Sequence, residues 1–170
     1  MIPAHAPPPE FSRPVAVERI GIAAYDMTVE ATQAERAALT TRLKLQSIGA
    51  LICRFRLRPT PDGAISAEGW LDALVTQTCV VSLDDFVAPV SDHFHVRFVP
   101  EGRESDDIDP ESEDEIPYSH GMIDLGEIAT EQLALALDPW PRKPDATLPD
   151  HDAETPTSPF AALAPKRLPT

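Results

Sequence analysis

From Ser47 to Pro59, in SIGALICRFRLRP, apolar and polar side chains alternate: Leu51, Cys53, Phe55 and Leu57 fall on one side, Ile52, Arg54, Arg56 and Arg58 on the other. A period of two marks a strand with one buried and one wet face. The turn signal Pro61-Asp62-Gly63 follows, so AISAEGWLDALVTQTCV is expected to return as the antiparallel neighbour, with a kink or bulge at Gly69. Upstream, Ser12–Gly21 alternates as a strand, Val15, Val17 and Arg19 opposing Ala16, Glu18 and Ile20. Downstream, Leu83–Pro100 carries FVAPV and FHVRFV, one or two further strands broken at Pro89.

Two stretches change to a helical period. Thr32 and Glu35 fit a capping box, worth about 1 kcal/mol, ahead of a thin apolar stripe of Ala34, Ala38, Leu39, Leu43 and Leu45. GMIDLGEIATEQLALALDP is the stronger helix: Asp124 caps it, Glu127 completes a box and Ile123 staples against Ile128. Leu125, Ile128, Ala129, Leu133, Ala136 and Leu137 share one face, and Asp138-Pro139 stops it. These elements predict an α+β fold, an antiparallel sheet or partial barrel packed with two helices. The sequence has no internal repeat.

Composition sets the expected boundaries. The nineteen prolines cluster mainly in the first 14 and last 32 residues, which lack hydrophobic periodicity. Such segments do not offset their ordering entropy. The chain therefore reads as a disordered N-terminal tail over 1–13, a single domain over 14–139 and a Pro-rich C-terminal tail over 140–170. No stretch approaches the roughly 18 apolar residues of a membrane span, and MIPAHAPPPEFS has neither the basic nor the apolar region of an export signal. A cytoplasmic protein with no membrane partner is expected, its two cysteines being buried strand residues rather than a disulfide.

Charge separates the candidate surfaces. Glu101–Glu115 holds nine acidic residues against one basic, more than half of the net −14. The plain reading is a solvated acidic loop kept extended by repulsion. The sharper one is a docking strip for a basic protein, or a mimic of nucleic-acid charge, through Asp106, Asp107, Asp109, Glu111, Glu113 and Asp114. So acidic a chain does not grip phosphates nonspecifically, which takes clustered Lys/Arg. Arg54, Arg56 and Arg58, about 6.6 Å apart along a strand, form the one row that could meet RNA. Glu68 and Asp72 on the returning strand are expected to pair with them, and the salt-bridged face is the favoured reading.

In the terminal SPFAALAPKRL, burying Phe160 and Leu163 returns roughly 1.5–3 kcal/mol each. Fixing about six residues costs on the order of 6–12 kcal/mol. The motif thus suits a segment that orders on a partner.

Few residues suggest reaction chemistry. Cys79 and Ser82 make half of a C-x-x-C knuckle, whereas structural zinc takes four Cys/His ligands; Cys79 reads as a packed strand residue ahead of a reactive thiol or a ligand. His93 and His95, at i and i+2 beside Asp92, share a strand face and could begin a metal site, but the sequence offers no apparent third ligand. His120 reads as a loop residue. There is no G-x-S-x-G, P-loop or dinucleotide-binding fingerprint, and pairs such as Asp84/Asp85 are commonplace in so acidic a chain. No catalytic residue, metal or cofactor is expected; a binding protein ranks first, and an RNA hydrolase using His93, His95 or His120 ranks last.

TQTCVVSLDDF, FHVRFVPE, an acidic gap, DEIPYSHGMIDLGEIATEQLALALDPWPR and SPFAAL occur in that order. Over roughly Phe11–Leu163 the chain thereby resembles the YceD family, the large ribosomal RNA subunit accumulation proteins of bacteria and plastids, and specifically an alphaproteobacterial-like member lacking the C-x-x-C pair. Its most specific portion is GMIDLGEIATEQLALALDPWP. Many relatives carry C-x-x-C where this chain has Cys79 and Ser82, and further Cys/His near Arg142–Thr147, where it has RKPDAT. The resemblance implies a part in ribosome biogenesis, through accumulation, processing or stability of large-subunit (23S) ribosomal RNA. It supplies no catalytic residues. The partner it suggests is a basic ribosomal or rRNA-processing protein, with rRNA contacted directly or indirectly.

Overall fold

The computed structural model describes residues 9–21, 23–103 and 114–147. Five strands form one sheet: β2 (Tyr25–Glu30), β3 (Ser47–Pro59), β4 (Ile65–Thr78), β5 (Asp85–Pro100) and β6 (Asp114–Tyr118), in that spatial order. The first four are antiparallel, whereas β6 runs parallel to β5, from Val96 opposite Asp114 to Pro100 opposite Tyr118. The acidic run is thus the connection between two strands that point the same way. A short ribbon pairs β1 (Pro14–Ala16) with β7 (Met122–Asp124). The helices are α1 (Gln33–Leu43) and α2 (Leu125–Ala136). The fold is α+β, an open mixed sheet rather than a closed barrel.

Alternation decides which face is covered. Leu51, Cys53, Phe55 and Leu57 of β3, with Ala67 and Leu71 of β4 and Phe94, Val96 and Phe98 of β5, join Leu39 of α1 and Leu125, Ile128 and Leu133 of α2 in one core. Each large side chain so buried contributes about 1.5–3 kcal/mol. Both helices lie on this side, joined by Arg42 and Glu127 at 2.5 Å. No described helix covers the other face of the sheet.

Several local expectations give way. The strand predicted over Ser12–Gly21 lasts only three residues, because a 3-10 turn at Val17–Arg19 rolls the chain over and buries Ile20 from another side. Ala34 and Ala38 of α1 are exposed, and burial falls on Leu39 with Leu43 partly covered. Gly69 makes no bulge; it pairs in register with Phe55 and Phe94, and the irregularity lies between Ile48 and Ala50. Pro89 does not break β5, which continues opposite Leu74. Among the described residues, 85–95 have no neighbour on their outer side, where a strand tolerates the missing N–H.

The core also reaches past 14–139. Phe11 is fully buried, and Val80 N–H donates to the carbonyl of Pro141 at 2.9 Å.

The capping box at Thr32 is present in full, and Arg13 clamps the same Glu35 at 2.7 and 3.0 Å. That guanidinium, with help from Thr32, holds the Glu35 carboxyl down at about 2. A carboxyl depressed from about 4.5 adds stability in full above that pH and loses it as pH falls toward 2. Glu35→Gln is therefore expected to lose about 1–2 kcal/mol at neutral pH, with the gap to the parent closing between pH 4.5 and 2 in urea titrations.

Asp124 caps α2 by accepting from the amides of Gly126 and Glu127 at 3.0 and 3.3 Å. It also accepts from Ser12 Oγ at 2.5 Å and from the Arg13 amide at 2.7 Å, tying the entering chain to the helix. Glu127 does not turn back to complete a box there; its carboxylate is taken by Arg42.

Candidate functional site: the open face of the sheet

Because β3, β4 and β5 are in register, their outward side chains line up in rows across the strands. One row runs Asp26, Arg56, Glu68, His95; the next runs Thr28, Arg54, Trp70, His93. Arg54 pairs with Asp72 at 2.9 Å and Arg56 with Asp26 at 2.9 Å. Arg97 pairs with Asp62 and, at 3.6 Å, with Glu115. Asp72 meets an arginine as the sequence predicts, but Glu68 does not: it turns the other way, and His93 Nε2 lies 3.1 Å from its Oε1. No ion pair joins Arg58 to another residue among the described residues.

The face also carries rings. Trp70 stacks on His93, with centroids 5.2 Å apart and planes 13° from parallel, while His95 meets His93 edge-on at 4.9 Å. The Arg56 guanidinium lies 6.0 Å above Trp70. Glu68, His93 and His95 bring three potential ligand atoms within 4.8 Å of one another. The third ligand that seemed to be lacking is thus on the neighbouring strand. Asp92 does not belong to this group, since it pairs with buried Leu71 and faces the helices. Only the pairing register could have revealed Glu68.

Cys79 departs from the expected strand residue. It follows β4 in a turn, fully buried, and its Sγ accepts from the amides of Val81, Ser82 and Lys143, each at 3.4 Å. The Ser82 hydroxyl, then these amides, pull its thiol down to about 6. Cys53 is the opposite case, its thiol pushed up to about 12 by burial in the core. His120 occupies a tight turn with φ +55°, a loop residue as predicted.

Of the other candidates, Asp114 opens β6, while Asp106, Asp107, Asp109, Glu111, Glu113, Phe160 and Leu163 lie outside the described residues. No described helix is long and apolar enough to cross a membrane.

The family model for the large ribosomal RNA subunit accumulation protein YceD matches residues 67–164, more than half of the chain. The chain belongs to the YceD family. Its role, as the family's description has it, is in the accumulation of large-subunit ribosomal RNA. No curated protein and no solved structure matches it. The fold sets the Cys79–Ser82 and Arg142–Thr147 segments side by side, with Lys143 N–H on Cys79 Sγ. A four-ligand metal does not fit there, because Ser82 and RKPDAT leave one thiol. Three amide donors surround the sulfur instead.

Proposed function

We propose that this YceD protein is a non-enzymatic factor of large-subunit biogenesis, acting in the cytoplasm through contacts with a basic ribosomal or rRNA-processing protein. The observation that supports it most is that Arg54, Arg56 and Arg97 are all matched by carboxylates on their own face. In a chain of net charge −14, pairing of these arginines leaves few uncommitted cations on that face, among the described residues, for a phosphate backbone. An acidic molecule instead speeds its encounter with a basic partner, an effect screened beyond about 8 Å at physiological salt.

The acidic strip is the candidate contact, with Phe160 and Leu163 as apolar anchors. Deleting 101–115 is a poor test, because Asp114 and Glu115 pair with Val96 and Arg97 within the sheet. Neutralising Asp106, Asp107, Asp109, Glu111 and Glu113 to their amides in the full chain is cleaner. Affinity for the basic partner is expected to fall about tenfold at low salt and its salt dependence to flatten, with the melting temperature unmoved. Calorimetry showing the same affinity before and after would remove the strip from the mechanism.

Direct RNA binding at Arg54, Arg56 and Arg58 is the second reading. Trp70 favours it, since a ring flanked by a guanidinium is a platform on which bases stack. A gel shift with a large-subunit rRNA fragment that disappears in the Arg54→Ala/Arg56→Ala/Arg58→Ala protein would select it. No shift at moderate salt leaves protein contact.

A further inference from the structure

We propose that Glu68, His93 and His95 form a binding site for a divalent transition metal of the zinc class, with three protein ligands and one position left for a fourth donor. Two imidazoles and a carboxylate suit such a metal, with ligand atoms about 2.0–2.2 Å from it. Tetrahedral geometry at that radius sets ligand atoms about 3.4 Å apart. Glu68 and His93 are already 3.1 Å apart, and all three ligand atoms lie within 4.8 Å, so small side-chain rotations close the set.

The geometry is more than an ion pair needs. A glutamate neutralising one histidine brings one ring to it. Here a second ring converges, His95 lying directly opposite Glu68 in the ladder and edge-on to His93. Trp70 fixes the plane of the His93 ring by stacking, as an outer shell orients a ligand. The ligands stand on two long paired strands, which hold them more rigidly than a loop would.

The local charge does not oppose a cation. Arg56, across from Glu68, is engaged with Asp26, and Arg97, two residues beyond His95, with Asp62 and Glu115. His93 and His95 are exposed, so the metal has an open approach, and replacing either leaves the core intact.

The test uses untagged full-length protein. Calorimetry with Zn²⁺ is expected to give one ion per chain. With Trp140→Phe leaving Trp70 as the one tryptophan, Co²⁺ is expected to quench its emission saturably, in a way Zn²⁺ reverses. Glu68→Gln, His93→Gln and His95→Gln should each weaken binding at least about tenfold, whereas His120→Gln and Cys79→Ser should leave it unchanged. Failure to take up Zn²⁺ at millimolar free metal overturns the site. So does uptake that survives the histidine substitutions or is abolished by Cys79→Ser.

Discussion

Gly126→Ala should unfold at a melting temperature roughly 5–10 °C below the parent, a loss of about 2–4 kcal/mol. A Cβ at this position would meet the carbonyl oxygen of Phe11 at 2.5 Å, its carbon at 2.9 Å and the amide of Arg13 at 3.0 Å. These are backbone atoms, and they cannot swing aside. The first turn of α2 cannot retreat either, since Asp124 holds the Arg13 amide and Leu125 N–H donates to the Arg13 carbonyl at 3.1 Å. Intrinsic propensity points the other way, alanine being preferred to glycine in a helix by about 1 kcal/mol. The clash, with partial loss of Phe11 burial, outweighs it. Urea unfolding settles the sign: a variant more stable than the parent would show that 11–13 does not lie against α2 as described.

A second large effect is expected at Gly69. A Cβ there would sit 2.2–2.7 Å from three atoms of the Phe94 ring, which lies flat over the glycine and meets Phe55 edge-on at 5.9 Å. Gly69→Ala forces the ring out and should cost about 2–3 kcal/mol. Phe94→Ala in the parent should cost about 3–5 kcal/mol, but clearly less in the Gly69→Ala background, where the ring has already lost its seat. A double-mutant cycle should therefore show a coupling of at least about 1 kcal/mol, and plain additivity would mean that ring and glycine do not touch. His93 and His95 flank Phe94, so Gly69→Ala should also loosen the proposed metal site.

What the sequence revealed depended on the range of the interaction. Thr32 and Glu35 are three residues apart, and their box forms as read. β3 keeps the bounds of its own alternation because burial on one face enforces the period. The misread residues have distant determinants. Gly69 resembles a bulge until the Phe94 ring is seen above it, and Pro89 resembles a break until β5 is seen to lack an outer neighbour there among the described residues. Charge alone matches Glu68 to an arginine, but Arg56 reaches across to Asp26 on β2 and leaves the carboxylate to His93. Cys79 owes its surroundings partly to an amide 64 residues away. The parallel placement of β6 lay beyond reach for the same reason, since periodicity reports burial and not direction.

Residues 85–95 of β5, which no described strand pairs on the outer side, bear on self-association. A long unpaired edge is a template on which a second copy could add its own strand, the first step toward fibrous aggregates. Two devices block it here: a proline that offers no donor at position 89, and the Asp92 carboxylate on the side facing the helices, which strand-on-strand stacking would bury. The residue that looked like an interruption of the strand thus works against strand-on-strand pairing between copies of the chain.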